Sequence, residues 1–559
     1  SDLGNHHIGF RIVQAPLPDT EPLAPDIPFV QQGVKQTTEE LASHGPDPNT
    51  PYFRKRYLLP TPPENIIPPF EDGHISDIEA IEAAGIEPGI LSHNHSAALE
   101  VMPNGDVLLI SYTSVSELTP NVAMLAARLR FGSDQWDFPN LFIDFADVDD
   151  HAPMLWKEKD AVWFFWGANK LDSGFPFQWI TTTDNGATWS NVHFPVFETP
   201  VGGHSAQPIN SALRDSAGTL YVASDAIGPQ SVLWKTTNNG DTWIDPRGRT
   251  GGRHTTFALL KNGDILGMGG KSSELGGYMP KSISSDGGET WRIEKTPFTP
   301  LGSNQRPTLL RLQSGRLFFA GDYQRKDGYR PPTVKEHGAY VALSDDEGET
   351  WHIRKLPGTQ SHENPERAES LGGETIGYSV ARQAPNGVIH LITSMNNPCL
   401  HFEMNEAWIL SDDSNEPLSD EQLMTQEVPT AGERKEYRET YPNGTVKMIW
   451  SAIITDDGRY LLDGAETWYY ENGAVKYEAE YDKGVKVNQE TFWRTTGAKK
   501  WSRDYNEDGS VVWTTYWDNG KKRTQSTWVN MHAKGKAVMW DDDGNVVKEV
   551  VFEKGEVID

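Results

Sequence analysis

The chain has 559 residues with 50 Lys and Arg against 79 Asp and Glu, a formal net charge of −29, which excludes nucleic acid or an anionic membrane surface as partner and requires any acidic ligand to be held by local cations inside a cleft. The 19 Trp, 18 Tyr and 51 Gly suit many short strands and tight turns. No apolar run reaches the ~18 residues of a membrane span, and the single Cys399 excludes an intrachain disulfide.

In chain order, the first segment reads Asn5-His-His-Ile-Gly9-Phe-Arg11-Ile-Val-Gln-Ala15. It resembles the closing strand of the formylglycine-generating (sulfatase-modifying factor) fold. The resemblance implies that residues 1–25 are a linker remnant of an upstream domain, in a chain that starts at Ser1 with neither an initiator Met nor a signal peptide. Residues 16–92 are rich in Pro and acidic groups, with a strand predicted over 52–59 and a short helix over 75–84.

From His93 onward the pattern becomes repeats of a tight hairpin followed by two more strands. Inner hairpins are predicted at 96–112, 152–167, 206–223, 255–268, 307–320 and 377–393, around turns such as Asn104-Gly105, Asn262-Gly263 and Asn386-Gly387. That makes six units, with a seventh open if the strand at 52–59 joins later residues. The last unit is expected to close through 403–410.

Four of the units carry one phrase: Thr182-Thr-Asp184-Asn-Gly186-Ala-Thr-Trp189, Thr236-Thr-Asn238-Asn-Gly240-Asp-Thr-Trp243, Ser284-Ser-Asp286-Gly-Gly288-Glu-Thr-Trp291 and Ser344-Asp-Asp346-Glu-Gly348-Glu-Thr-Trp351. A degenerate version, Phe131-Gly-Ser133-Asp-Gln-Trp136, ends the first unit. In this turn the Asp or Asn caps its own backbone, Gly takes a positive φ, and Trp anchors the next strand in a core. Intervals of 54, 48 and 60 residues between the Asp/Asn positions allow one four-stranded unit per repeat, which is propeller spacing. The phrase is the Asp box, and its carriers resemble the sialidase-type (BNR repeat) β-propellers.

After a polar stretch at 411–431, turn dipeptides recur from Asn443-Gly444 to Lys554-Gly555 at gaps of 9 to 15 residues, with aromatic residues between. This ladder of hairpins resembles MORN-type repeat proteins, whose single long sheet grows hairpin by hairpin. The expected fold is therefore all-β: an Asp-box propeller over 26–411, then a MORN-like sheet over 432–559 that acts as a structural appendage or binds carbohydrate or protein through Trp and Tyr.

In a propeller the first strand of each blade lines the central channel, so residues opening those strands converge on one mouth. The openings here carry His93 and His95, His151 after Asp149 and Asp150, His204 and Gln207, Arg253 and His254, Gln305 and Arg306, and Glu374 with Tyr378. His, Arg or Tyr at all six is not what packing alone requires. His93, His95 and His151 could instead ligate a metal, although no metal or cofactor is expected. Arg253 and Arg306 suit a carboxylate or sulfate.

Against sialidases, Gly377-Tyr378-Ser379 resembles the neighbourhood of the family's Tyr nucleophile with Glu374 nearby, but the Arg-Ile-Pro motif is absent and His stands where Asp or Arg would be needed. The site pattern is more similar to propeller-type polysaccharide lyases, including ulvan lyases, which place His, Tyr and Arg at one mouth. That resemblance implies β-elimination on a uronate sugar, as lyase or oligosaccharide dehydratase. Arg253 and Arg306 would hold the carboxylate, with Gln207, Gln305, His93 and Glu374 also contacting substrate. Tyr378 and one of His95, His151, His204 and His254 would form the acid and base pair. The alternatives are a sialidase-type exo-glycosidase using Tyr378 and Glu374, and a non-catalytic glycan-binding propeller. A substrate of this size implies a periplasmic or extracellular location.

Overall fold

The computed structural model describes residues 41–60, 78–86, 90–91, 93–114, 122–145, 148–168, 175–271, 273–302, 306–323, 338–359, 376–394, 399–411, 430 and 432–558. The linker expected at 1–25, together with Gln305 and Glu374, lies outside them, as does the side chain of His93.

Six antiparallel sheets follow one another, five of them meanders in sequence order and the sixth completed by a strand from the N-terminal part of the chain. Their first strands are His93–Val101, Asp150–Glu158, His204–Arg214, Thr256–Leu259, Thr308–Arg311 and Val380–Gln383. Each of these packs against the next, and the sixth packs against the first, so they close a ring around a central channel. In the second and third blades the outermost strand is reduced to single bridges, Trp179 to His193 and Lys235 to Ile244.

The strand predicted near residue 55 answers the question of blade number. Phe53–Tyr57 pairs antiparallel with Leu400–Met404, Phe53 opposite Met404 and Tyr57 opposite Leu400, and becomes the outer strand of the sixth blade. The propeller therefore has six blades, and the seventh is excluded. The expected closure through 403–410 is corrected as well: Glu406–Leu410 is a short helix N-capped by Asn405, whose side chain accepts from Trp408 N at 2.9 Å. Trp408 stacks on Phe53 with ring centroids 4.2 Å apart, so the helix covers the closing strand. Arg56 fixes the closure electrostatically through Glu403 at 2.7 Å and Asp134 at 3.1 Å, which joins the N-terminal strand to both the sixth and the first blade.

The Asp boxes build as their chemistry requires. In the third, Asp286 accepts from Thr290 N at 2.9 Å, Thr290 Oγ1 at 2.5 Å and Ser284 Oγ at 2.8 Å, while Gly288 sits at φ +87°. Trp243 of the second box is fully buried in a cluster with Phe177, Trp179 and Trp234.

The C-terminal residues form one 11-stranded antiparallel sheet from Lys435–Thr440 to Glu556–Val557, with strands in strict sequence order. The helix expected over 75–84 is observed as Ile78–Ala83 and lies between this sheet and the first blade. Ala80, Ile81 and Ala84 pack there against Trp513, Trp528, Ala537 and Phe552. A buried ion network bridges the two parts: Lys486 Nζ meets Asp137 of the first blade at 2.9 Å and Glu490 at 2.8 Å, and Arg503 meets Glu490 at 3.0 Å. Burial of both partners makes this contact structural rather than incidental.

Candidate active site

All six first strands open at the same mouth of the ring, and their openings are distorted in a common way. The pairing slips after His95 in the first blade and after His151 in the second, each a bulge that re-aims the side chain before it. Ser96, Ala152 and His254 adopt positive φ of 54°, 52° and 55°, a costly backbone for non-glycine residues, and each lies at or beside an expected site residue. Two glycines permit a close approach of backbone beside Arg253. A Cβ on Gly252 would stand 2.2 Å from Gly269 O, and one on Gly269 would stand 2.4 Å from Thr255 Cα. Their absence of side chains lets the Arg253-His254 segment lie against Lys271, whose N–H donates to Arg253 O at 3.1 Å.

Tyr378 is the centre of the cluster. It pairs by backbone with Arg306 across the openings of the fifth and sixth blades. Its hydroxyl is 2.9 Å from His254 Nε2 and accepts from Lys271 Nζ. The ring of His95 lies 4.1 Å from its ring centroid, and Arg306 Cζ lies 5.2 Å from it.

Behind His254 stands Asp225, at the end of the second strand of the third blade, Leu220–Ala226. Asp225 Oδ2 is 2.9 Å from His254 Nδ1 and accepts from Arg253 Nε at 2.7 Å, while Oδ1 accepts from His254 N at 3.0 Å. Burial would raise the Asp225 carboxyl, but His254 and Arg253 outweigh it and hold it at about 2. Burial pushes His254 down to about 4 against the pull of Asp225, so its imidazole is neutral at pH 7. An ionised carboxylate only accepts, so the His254 proton sits on Nδ1. Nε2 is left to accept from the Tyr378 hydroxyl. The result is one directed chain: Lys271 donates to Tyr378 and Tyr378 to His254, with the Asp225 carboxylate 2.9 Å from the far imidazole nitrogen.

Arg253 completes the exposed side. Its Nη2 donates to Gln207 Oε1 at 2.7 Å, and its side chain is 32% exposed. Arg253 and Lys271 border a cavity of about 370 Å³ whose rim also includes Ala226-Ile227-Gly228-Pro229. Ile227 is 70% exposed at that rim.

The structure thus brings together His95, Gln207, Arg253, His254, Arg306 and Tyr378. His151 and His204 have other partners. His204 points its Nδ1 at Gly202 O, 3.0 Å away, and packs edge-on against Trp234, with no described contact to Tyr378. His151 is buried with Nδ1 3.3 Å from Asp149 O. The role expected for Arg306 is corrected: it is 2% exposed, its Nη groups donate to Ser96 Oγ and Ala97 O, and burial lowers it to about 10. A guanidinium locked under the Tyr378 ring supports that ring instead of clamping a carboxylate in the cavity. Asp150, which precedes His151 at the second opening, accepts from Phe145 N at 2.7 Å and Trp166 Nε1 at 3.1 Å, and burial raises it to about 7.

Two residues of the chain escaped sequence reasoning. Asp225 carried a weak signal, a lone carboxylate ending an otherwise uncharged, fully buried strand. The equivalent Asp322 of the fifth blade shows why that signal is ambiguous, since it accepts from Ile376 N and caps backbone. Lys271 follows Gly269-Gly270 outside any strand and carried no signal.

A metal at His93, His95 and His151 has no described geometry behind it. Among the described residues the one cluster with metal-ligand potential is His390, His401 and Glu403. Its groups satisfy one another. Trp136 Nε1 donates to His401 Nδ1 at 3.2 Å, which leaves the proton on Nε2 to donate to His390 Nδ1 at 3.0 Å, and Glu403 is taken by Arg56 and Tyr52. A cation there would have to displace that proton.

The MORN repeat variant family matches residues 462–483, the hairpin of Tyr460–Tyr469 and Val475–Asp482 in the C-terminal sheet. No curated protein is similar to the chain by sequence. Solved structures similar to it include a protein of unknown function from Dyadobacter fermentans, 15% identical, covering 63% of this chain and 99% of that one with a TM-score of 0.42. Trypanosoma rangeli sialidase is 12% identical, with 86% and 89% covered and a TM-score of 0.43. The intramolecular trans-sialidase of Ruminococcus gnavus is 12% identical, with 58% and 96% covered and a TM-score of 0.40. Likeness at this level carries no information on chemistry. No helix among the described residues is long and apolar enough to cross a membrane.

Proposed function

We propose that the propeller mouth is the active site of a carbon–oxygen lyase acting on a uronate-containing oligosaccharide. The observation that carries this reading is the Tyr378 hydroxyl held between the Lys271 ammonium and a neutral His254 whose tautomer Asp225 sets. The substrate carboxylate would lie in the cavity against Arg253 and Lys271, which stabilise the enolate-like intermediate. Tyr378, passing its proton to His254, takes the proton from C5. The C5–H electrons form the C4=C5 double bond, the C4–O bond breaks, and the leaving oxygen receives the proton held by the Tyr378–His254 pair. A glycosidic leaving oxygen makes the reaction a polysaccharide lyase step; a hydroxyl makes it a dehydration. A substrate of this kind is consistent with work in the periplasm or outside the cell.

Incubation with uronate oligosaccharides, followed by ultraviolet absorbance and product mass, tests the reading. Cleavage without added water, or loss of water, with new absorbance is expected, and both signals disappear in Tyr378→Phe. One observation favours a second reading: the Lys271 ammonium on the phenol oxygen would also stabilise Tyr378 as a nucleophile in a glycoside hydrolase. Products carrying one added water and no new absorbance would establish that reading and remove the first.

A further inference from the structure

A second cavity, of about 280 Å³, lies at the seam between the C-terminal sheet, the helix Ile78–Ala83 and the first blade. It is lined by Arg494, Lys500, Arg503 and Arg523, with Glu82 as the one carboxylate among its lining residues. Three of these cations have carboxylate partners, Arg494 with Asp518 at 2.9 Å, Arg503 with Glu490 at 3.0 Å and Arg523 with Glu82 at 3.8 Å, yet cations still outnumber carboxylates in the lining of a chain whose net charge is −29.

The sheet builds the floor by register. Across neighbouring strands Phe492 stands opposite Trp501, Trp501 opposite Thr515 and Thr515 opposite Thr524. In the next row Glu490 stands opposite Arg503, and Arg503 opposite Trp513. The Arg503 guanidinium is held over three rings, 4.1 Å from Phe138, 4.2 Å from Trp501 and 4.6 Å from Trp513.

Two N–H donors of this lining are left over. Arg503 Nε and Trp513 Nε1 are buried and have no hydrogen-bond partner among the described residues, although their side chains are 5% and 7% exposed at most. A buried donor without an acceptor costs about 1–3 kcal/mol. Thr515 and Thr524 add hydroxyls 2.6 Å apart.

We infer that this seam is a binding site for an acidic sugar residue, separate from the propeller mouth. Its cations suit a carboxylate or sulfate, its indole faces suit the C–H face of a pyranose, and its hydroxyls and orphan N–H groups suit ring oxygens. The site is argued from its own lining; only the choice of a uronate chain as probe rests on the function proposed above.

The test is calorimetric titration of full-length Tyr378→Phe protein, in which turnover is removed, with a glucuronate-containing oligosaccharide and a neutral oligosaccharide of equal length. Two sites for the acidic chain are expected. Lys500→Glu should weaken one at least tenfold and leave the other, while Arg253→Ala should do the reverse. Lys500→Gln, with a smaller perturbation, should give the same pattern more weakly. Isotherms that Lys500 substitution leaves unchanged, or equal binding of the neutral chain, would overturn the inference. Loss of the Arg253-dependent site alone would count against the propeller reading and leave this one standing.

Discussion

Asp225 decides which nitrogen of His254 carries a proton, and that choice decides whether Tyr378 has somewhere to send its own. In Asp225→Asn the amide can donate to Nδ1, which shifts the imidazole proton to Nε2 and removes the acceptor facing Tyr378. The expected result is a fall in kcat of roughly 10²–10⁴ with KM little changed, read by steady-state kinetics. The pH profile separates this chain from an ordinary histidine. His254 must be neutral to accept, and burial lowers it to about 4, so the acid limb of kcat should fall near pH 4 instead of near 6.5. A limb at 6.5 would place the essential base elsewhere. At this scale Tyr378, His254 and Arg253 were legible because they occupy strand openings. Lys271 was not, because a loop lysine acquires its role only when two glycines let separate backbone segments meet.

The Asp box is a local device, and its cost can be read locally. Asp286→Ala removes the acceptor for Thr290 N, Thr290 Oγ1 and Ser284 Oγ, and should destabilise by about 1–2 kcal/mol in chemical denaturation. Gly288→Ala tests the backbone instead of the cap. Its new Cβ would meet nothing closer than Pro246 Cγ at 3.5 Å, but the residue sits at φ +87°, so a loss of about 1 kcal/mol or more is expected from strain alone. The same locality made the boxes readable as sequence. The Asp, the Gly and the Trp lie within eight residues and need no distant partner to form the turn. Strand Phe53–Tyr57 is the opposite case. Its pattern indicated a strand, but only pairing with Leu400–Met404 assigned it to the sixth blade.

Charges are buried between the propeller and the hairpin sheet. Lys486→Met leaves Asp137 and Glu490 without their shared cation at an interface closed to water. Breaking such a network typically costs about 3–5 kcal/mol, so a clearly lowered Tm is expected in calorimetry. Acid should act on the whole molecule too. Burial holds His254 and His390 at about 4 and drives His401 down as well, each below the ordinary 6.5. The unfolded chain therefore binds more protons than the native one between those values. Their stabilising contribution is complete above pH 6.5 and is lost as pH falls toward 4, so Tm should decline through that window.

By itself the sequence determined what depends on short-range chemistry. Turn residues with strand periodicity specified six recognisable units with a seventh left open, four boxes and a ladder of hairpins, because Gly, Asp and Asn act on their own backbone. Only the tertiary structure decided which residues share a proton. Asp225, His254, Lys271 and Tyr378 come from three different blades, and hydrogen bonds between their side chains exist only once the ring is closed. Ring closure likewise buried Arg306 beneath the Tyr378 ring, an outcome that depends on where neighbouring blades pack.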